Sequence, residues 1–119
     1  MSNHRVVKAD RAWSNYIHAA SNKCMIGEDC EGCLEAHHLI SRSVKCLRHD
    51  INNGVLLCSK HHRLSIELSA HNNPAAFAEW LAEHAPEKLE YIKAHKWNIE
   101  KPDYKAAYKE IIKQTERLK

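Results

Sequence analysis

Cysteine and histidine, two residue types that bind transition metals, are concentrated in the middle of this chain. The 119 residues include ten histidines and five cysteines. All five cysteines lie between residues 24 and 58, and six of the histidines lie between residues 37 and 71. In a reducing compartment such a cluster is typical of metal binding rather than of a disulfide framework. The sequence therefore predicts metal binding by the central part of the chain.

Two short chelating turns carry these residues. The segment CEGC is a C-x-x-C turn, and the segment CSKH forms a C-x-x-H turn further along the chain. Two such turns supply the thiolate and imidazole ligands of a tetrahedral Zn²⁺ site. The zinc ligands expected from this spacing are Cys30, Cys33, Cys58 and His61. Cys24 with Cys30 is the alternative upstream pair, Cys46 stands outside both turns, and buried unreactive thiols are the alternative to a metal site.

A pair of adjacent histidines, His37 and His38, ends an apolar run in the segment LEAHHLIS. Adjacent side chains of a strand point to opposite faces, so both can serve one centre only where the strand gives way to a loop. If His61 binds zinc, the neighbouring His62 points away from the zinc turn and back toward this pair. One histidine of such a group could bind a second metal ion while another acts on water.

The elements that position these residues are predicted from hydrophobic periodicity and from helix start signals. In chain order they are an amphipathic helix over 8–20, a tight loop over 24–33, strands over 34–40 and 52–58, and a helix over 59–68. Three further helices are expected to begin near Asn73, Pro86 and Pro102. The predicted apolar stripe of the last helix consists of Tyr104, Ala107, Tyr108, Ile111, Ile112, Thr115 and Leu118.

Composition and length favour a single α+β domain over residues 1–119, with a metal-binding core over 24–70 and a helical extension over 73–118. Apolar residues make up 44% and charged residues 28% of the chain, which is ordinary for a globular protein. The net charge of +3 permits a polyanionic partner without requiring one. The N-terminal segment lacks the apolar core of a signal peptide, and no apolar run is long enough to span a membrane. We therefore expect an intracellular, cytoplasmic protein.

The central segment EAHHLISRS…LRHDINNGVLLCSKHH resembles the HNH nucleases, in particular their small phage-encoded members. The resemblance covers about residues 24–68. It consists of a histidine pair at the first strand end, an asparagine that starts the second strand, and a histidine that opens the helix. The spacing from Asn53 to His62 matches the family pattern. The resemblance implies a ββα-metal fold with a structural zinc, and a DNA endonuclease that hydrolyses phosphodiester bonds with one divalent cation.

The resemblance also implies a role for each matching residue. His37 and His62 would bind the catalytic divalent cation, and His38 would be the general base that takes a proton from the attacking water. Asn53 would tie the connecting loop so that His38 keeps its orientation, and the spacing favours Asn53 over Asn52. Imidazole ligands suit Mn²⁺, Co²⁺, Ni²⁺ or Zn²⁺, with Mg²⁺ as an alternative.

One position departs from the family pattern. Some members have a histidine or lysine four residues after the third signature position, where this chain has Ile66. Glu67, His71 or water is then needed to complete the metal shell. The departure affects the expected ligand set and leaves the implied reaction unchanged.

Basic residues flank the motif and would contact DNA phosphates. These residues are Arg42, Lys45, Arg48, Lys60 and Arg63. A second basic series recurs every four residues on the last helix and consists of Lys105, Lys109, Lys113 and Arg117. This series is either a further nucleic-acid contact or a solvated face. The alternatives to a nuclease are a zinc-dependent nucleic-acid-binding module without catalysis and a structural zinc protein whose C-terminal helices bind a partner.

Overall fold

Four α-helices surround a two-stranded antiparallel sheet in the part of the chain that the computed structural model describes, residues 4–98 and 101–119. In chain order the elements are α1 (His4–Ala20), β1 (Leu34–His38), β2 (Gly54–Cys58), α2 (Pro74–His84), α3 (Pro86–His95) and α4 (Tyr104–Arg117). This arrangement confirms the expected α+β class. Within the described residues, no helix is long and apolar enough to cross a membrane.

The sheet separates two clusters of buried residues. β1 and β2 pair over their full length, with His38 opposite Gly54 at one end. All five residues of β2 are buried. On one face Leu56 packs with residues of α1 and α4, and on the other face Val55 and Leu57 pack with residues of α2. The strand is buried on both faces because helices cover both sides of it.

Gly54 lets α1 pack directly against the sheet at the end that carries the adjacent histidines. A Cβ at this position would lie 2.5 Å from atoms of both Trp13 and Ile17, which is closer than packed carbon atoms approach. Trp13 also donates a hydrogen bond from Nε1 to the carbonyl oxygen of Asp50 at 2.9 Å. The indole is thereby held against β1, where it stacks on the ring of His38.

The start signals of the C-terminal helices are confirmed. The side chain of Asn73 accepts a hydrogen bond from the N–H of Ala76 and caps α2, which begins at Pro74. α3 begins at Pro86, and the side chain of Asp103 caps α4. A proline in the first helical turn leaves no N–H group unsatisfied there, so it is compatible with a helix start.

The helix predicted over 59–68 is wrong beyond its first turn. A five-residue π-helical turn, Lys60–Leu64, is followed by extended backbone at Ser65. The hydroxyl of Ser65 accepts hydrogen bonds from the N–H groups of Glu67 and Leu68, so local side-chain bonding replaces the next helical turn. Ile66, which follows the end of the turn, is 76% exposed.

Smaller differences concern element ends and exposed apolar side chains. α1 begins at His4 rather than at residue 8, and β1 ends at His38 instead of continuing to residue 40. In the predicted stripe of α4, Ile111 is buried, whereas Ile112 and Leu118 are 40% and 46% exposed. The buried face is narrower than expected because α4 packs chiefly against one other helix, α1.

Candidate metal centres

Four side chains from the loop after α1, the end of β2 and the following turn form the first candidate metal centre. They are Cys24, Cys30, Cys58 and His61, and their ligand atoms lie within 4.8 Å of one another. His61 Nδ1 lies 3.7 Å from the Sγ atoms of Cys24 and Cys30 and 3.3 Å from that of Cys58. A tetrahedral zinc, with bonds of about 2.3 Å to sulfur and about 2.1 Å to nitrogen, places such atoms about 3.6 Å apart. The cluster could therefore hold a metal ion such as zinc.

The structure brings Cys24 and Cys30 into the cluster, whereas the expected Cys33 lies outside it. Cys24 is buried within the cluster, whereas Cys33 is exposed and outside it. The backbone of Cys33 is instead held by Ser59, whose hydroxyl group bonds to both its N–H and its carbonyl oxygen. Left-handed backbone at Gly27, with φ of 77°, helps to turn the loop that brings Cys24 and Cys30 together.

Burial and mutual proximity determine the protonation of the thiols. Burial, together with the neighbouring Cys24 and Cys58, raises the pKa of Cys30 to about 12. Burial also opposes ionisation of Cys58, but hydrogen bonds to the backbone of His61 and Glu31 outweigh it and lower the pKa of Cys58. Cys58 therefore ionises more readily than Cys30, whose ionisation the positive charge of a bound cation would favour.

Three histidines form the second candidate metal centre. They are His37, His62 and His71, and their ligand atoms lie within 4.8 Å of one another. The Nε2 atoms of His62 and His71 are 3.2 Å apart. Two nitrogens bound at about 2.1 Å to one cation are about 3.0–3.4 Å apart at ordinary coordination angles. The ring of His37 lies edge-on to both of the others, with centroids 5.0 and 5.2 Å away. This histidine trio could therefore hold a metal ion through imidazole nitrogens.

Each histidine of the trio comes from a different element. His37 projects from β1, His62 from the turn Lys60–Leu64, and His71 from the loop before α2. The N–H of His71 donates a hydrogen bond of 2.9 Å to the carbonyl oxygen of His62, which folds this loop back onto the turn. The early end of the turn at Ser65 makes the contact possible, because a ten-residue helix would carry the chain away from His62.

Glu35, on the same face of β1 as His37, orients one member of the trio. His62 donates a hydrogen bond from Nδ1 to Glu35 Oε1 at 2.6 Å, which leaves Nε2 of His62 for a metal ion. The hydrogen bond from His62 lowers the pKa of Glu35, so the carboxylate stays ionised. Sequence analysis missed Glu35, although strand alternation places it beside His37 and could have identified it.

Burial keeps two members of the trio, His37 and His71, in the protonation state that binds metal. Burial, with the added effect of the neighbouring His62 and His71, lowers the pKa of His37 to about 3. The pKa of His71 is also lowered, first by burial and then by His62. His37 and His71 are therefore neutral at physiological pH, and a neutral imidazole is the form that ligates a cation.

His38 lies on the other face of β1 and does not join the trio. Its ring stacks on Trp13, with centroids 3.7 Å apart and planes 4° from parallel. Its Nε2 donates a hydrogen bond of 2.9 Å to the carbonyl oxygen of Arg48, and burial lowers its pKa. Strand alternation continues to the strand end, so the two adjacent rings do not meet at one centre as expected. Both nevertheless line one cleft of about 580 Å³, together with His62 and His71.

Asn53 ties down the loop between the two strands. Its fully buried side chain accepts a hydrogen bond from the N–H of Ile40 at 2.8 Å. The amide group donates to the carbonyl oxygens of Ile40 and Leu47 at 3.2 and 2.9 Å. Leu47 immediately precedes Arg48, whose carbonyl oxygen accepts the hydrogen bond from His38. Asn53 therefore holds the segment that fixes the orientation of His38.

Two of the five basic residues expected to contact DNA border the cleft. Arg42 and Arg63 line it, with side chains 62% and 63% exposed. Arg42 lies 3.6 Å from Asp10, and Arg63 lies 3.6 Å from Glu35. Ion pairs this exposed contribute little stability, so both guanidinium groups can turn to an anion in the cleft.

The other three basic residues do not line the cleft. Arg48 donates two hydrogen bonds to Asp10, at 2.8 and 2.6 Å, and its side chain is 19% exposed. Lys60 pairs with Asp29 at 2.9 Å, and Lys45 lines a different cavity. The expectation that these residues contact DNA beside the histidines is therefore not supported by their positions.

No protein-family model, curated protein or solved structure matches the chain. The resemblance to the HNH nucleases stays an expectation that depends on the central segment alone. The chemistry of the two centres therefore follows from their own side chains. The first centre has three thiols and one imidazole. The second has three imidazoles and lies in an open cleft that His38 also lines.

Proposed function

We propose that the protein is a metal-dependent DNA endonuclease of the HNH type, which hydrolyses phosphodiester bonds with one divalent cation. The observation that carries the proposal is the cleft, where the trio of His37, His62 and His71 occurs together with His38. Phosphodiester hydrolysis requires a cation with open coordination positions beside a neutral base. In this proposal β1, β2 and the turn Lys60–Leu64 take the place of the ββα unit.

The trio holds the divalent cation in this proposal. His37, His62 and His71 supply one nitrogen each, and the carboxylate of Glu35 keeps the ring of His62 in the ligand orientation. A cation held there would supply positive charge to the phosphate oxygens and the leaving oxygen of the scissile bond. Imidazole ligands suit Mn²⁺, Co²⁺, Ni²⁺ and Zn²⁺ better than Mg²⁺. A separate zinc in the thiol cluster maintains the fold.

His38 accepts the proton of the attacking water. Its Nε2–H is occupied by the carbonyl oxygen of Arg48, which leaves Nδ1 as the basic nitrogen. Burial lowers the pKa of His38, so the ring is neutral at physiological pH. Asn53 acts through this residue as a positioning group, because its hydrogen bond to Leu47 holds the adjoining carbonyl of Arg48.

Arg42 and Arg63 contact the DNA phosphates beside the scissile bond. Both line the cleft, and both side chains are well exposed. Guanidinium groups bind phosphate oxygens through several N–H donors and fix the register of the backbone. Arg48 stays in its ion pair with Asp10 and supports the loop rather than the substrate.

Nicking of supercoiled plasmid tests the proposal. The protein is dialysed free of loosely bound ions and incubated with plasmid and Mn²⁺, Co²⁺, Ni²⁺, Zn²⁺ or Mg²⁺ in turn. We expect strand breaks that require an added cation and that form roughly 10²- to 10⁴-fold more slowly in a matched preparation of His38→Gln. Zinc content and far-UV circular dichroism of the same samples report whether the fold is intact.

Intact plasmid with every one of these cations, in protein that keeps its zinc and its fold, would overturn the proposal. Plasmid binding without strand breaks under those conditions would favour the zinc-dependent nucleic-acid-binding module. Equal nicking by the wild type and by His38→Gln would point to a contaminating nuclease or to a different base, and either result removes His38 from its assigned role.

A further inference from the structure

A second cationic cavity, of about 370 Å³, lies between α1 and α4 and is separate from the cleft. Its charged and aromatic lining consists of Arg5, Lys8, Tyr104, Lys105, Tyr108 and Lys109. No acidic residue is among the described residues that line it. The cavity is therefore a concave surface with four formal positive charges, which is the electrostatic footprint of an anion site.

The lining of this cavity contains basic residues without acidic ones. Four of the eighteen lysines and arginines of the chain line it, and no described aspartate or glutamate does. The lining therefore favours a polyanion between α1 and α4.

Two features pre-arrange the cavity for a nucleic-acid strand. The ammonium group of Lys8 lies 4.4 Å from the ring centroid of Tyr108, so a cation–π contact holds the charge at the cavity. Lys105 and Lys109, one helical turn apart on α4, supply two further charges on the same side. Cations beside aromatic rings are the combination by which proteins follow a phosphate backbone and its bases.

A chain of contacts connects the cavity with the cleft. Tyr104 lies edge-on to His49, with ring centroids 5.5 Å apart. His49 bonds to Asp10 at 2.7 Å, and Asp10 lies 3.6 Å from Arg42, which lines the cleft. The negative charge of Asp10 is matched by its two hydrogen bonds from Arg48. These contacts link a residue that lines the cavity to a residue that lines the cleft.

We propose that the cavity between α1 and α4 binds the phosphate backbone of the nucleic acid whose scissile bond lies in the cleft. The inference depends on the proposed function for the identity of that nucleic acid. It also restricts the DNA contact predicted for the last helix to two of its four basic residues. Lys105 and Lys109 contact the strand together with cations of α1, whereas Lys113 and Arg117 lie outside the cavity.

Binding of labelled DNA at varied salt concentration tests the inference. The variant Lys8→Gln/Lys105→Gln/Lys109→Gln is compared with the charge-matched control Lys23→Gln/Lys88→Gln/Lys93→Gln, on a duplex and on a single strand, without added divalent cation. Fluorescence anisotropy gives the dissociation constant and its dependence on salt. We expect the cavity variant to bind at least about tenfold more weakly at about 0.1 M salt and to lose about two to three units of salt slope. The control variant should stay within about twofold of the wild type.

Equal salt slopes for the cavity variant and the control variant would overturn the inference. The double variant Lys105→Gln/Lys109→Gln keeps the Lys8–Tyr108 contact and should still lose about two units of slope, so the result does not depend on the packing of α1 against α4. The duplex and the single strand distinguish which form supplies the phosphates.

Failure of the inference and failure of the proposed function give different results. A protein that nicks plasmid but shows no cavity-dependent slope retains its proposed activity and contradicts the inference. A protein with a cavity-dependent slope that never nicks DNA supports the inference and contradicts the nuclease.

Discussion

The thiol cluster and the histidine trio share one five-residue turn, Lys60–Leu64, yet they differ in how many positions they leave to a ligand. The thiol cluster brings four protein ligands together, and Cys24, Cys58 and His61 are buried. The trio supplies three imidazoles in an open cleft. Four protein ligands complete a tetrahedral shell, whereas three leave room for water or substrate. The thiol cluster therefore has the ligand number of a structural site, whereas the trio has the ligand number of a site that can bind a further molecule.

The two clusters also differ in the groups that hold their side chains in place. Backbone N–H groups support the thiol cluster, including the one from His61 to Cys58 Sγ at 3.5 Å. A side-chain carboxylate, Glu35, supports the trio through His62 at 2.6 Å. Backbone donors stabilise thiolates in a fixed arrangement, while a carboxylate makes the imidazole a stronger ligand and leaves its far side open.

Loss of the thiol cluster should have the largest effect. Cys58→Ala is expected to release about one zinc per chain and to unfold the protein, because the free energy of structural zinc binding, about 10–16 kcal/mol in zinc-finger peptides, is also folding free energy. Cys24→Ala should behave in the same way. Elemental analysis and thermal unfolding followed by circular dichroism measure both effects.

Two other cysteines serve as controls for that prediction. Cys33 is exposed, and the thiol of Cys46 faces the carbonyl oxygen of His95 outside the cluster. Cys33→Ala and Cys46→Ala should therefore keep their zinc and their stability. If Cys33→Ala loses zinc while Cys24→Ala keeps it, the ligand set first expected from the C-x-x-C turn is the correct one.

Removal of the proposed base should have the next largest effect and should leave both metal centres intact. His38→Gln keeps an amide that can still reach the carbonyl oxygen of Arg48, so the fold and the zinc should be retained. The cleavage rate should fall by roughly 10²- to 10⁴-fold, the usual contribution of a positioned base. Single-turnover cleavage at saturating DNA and Mn²⁺ measures it.

Substitutions in the trio should affect cleavage in a different way from the substitution of His38. His37→Gln and His62→Gln should raise the Mn²⁺ concentration needed for cleavage and should regain part of the rate at high Mn²⁺. His95→Ala, on the exposed side of α3, is the control and should cleave normally. Full activity of His38→Gln together with inactivity of His37→Gln at every Mn²⁺ concentration would mean that the two roles are reversed.

Loss of the supporting carboxylate should produce a smaller change, confined to the open centre. Glu35→Gln removes the charge that orients His62, and removal of such partners typically costs 10–100-fold in metal affinity. Zinc in the thiol cluster should be unaffected. The matched control is Glu67→Gln, which changes an exposed carboxylate shortly after the turn Lys60–Leu64. A larger effect at Glu67 than at Glu35 would assign the supporting carboxylate to Glu67.

Acid should weaken the fold through His37, and this should be the smallest of these effects. The pKa of His37 is about 3 in the folded protein and about 6.5 in the unfolded chain, so the unfolded chain binds the proton first. The free energy of unfolding should therefore fall as pH drops below about 6.5, by up to about 1.4 kcal/mol per pH unit for this group. No contribution is expected above that range, where both states are neutral.

Urea unfolding between neutral and mildly acidic pH, without added divalent cation, measures this dependence. His37→Asn removes the titrating group, so its stability should change less steeply with pH than that of the wild type. The thiol cluster is the same in both proteins, so its own dependence on pH cancels in the comparison. Identical pH slopes in the two proteins would contradict the low pKa of His37.

Local signals predicted the parts of the molecule that local chemistry determines. Asn73 and Pro74 specify the start of α2. The side chain of Asn73 accepts a backbone hydrogen bond, and Pro74 has no N–H group that would need a partner there. The C-x-x-H turn placed Cys58 and His61 in one cluster, since only the geometry of a single turn is involved. The buried Asn53, rather than the exposed Asn52, has the hydrogen bonds that a loop-tying residue needs.

Features that depend on distant partners were not predictable in the same way. His71 meets His62 because a loop folds back through backbone hydrogen bonds, and no helical or strand period marks that return. Arg48 is paired by Asp10 from α1, which the local density of positive charge around the motif does not reveal. The cluster contains Cys24 instead of the expected Cys33. The path of the loop determines which thiol points into the cluster, and the spacing of two cysteines does not reveal that path.

The adjacency of His61 and His62 would link cation binding at the two candidate centres. A cation in the thiol cluster would fix the turn that carries both rings, so the trio would lose less conformational entropy on binding a cation of its own. Such linkage is reciprocal, since the coupling free energy between two binding events has one value from either side. The metal affinity of the closed centre would therefore depend on the occupancy of the open one, and a chelator that reaches only the cleft would also weaken metal binding by the thiol cluster.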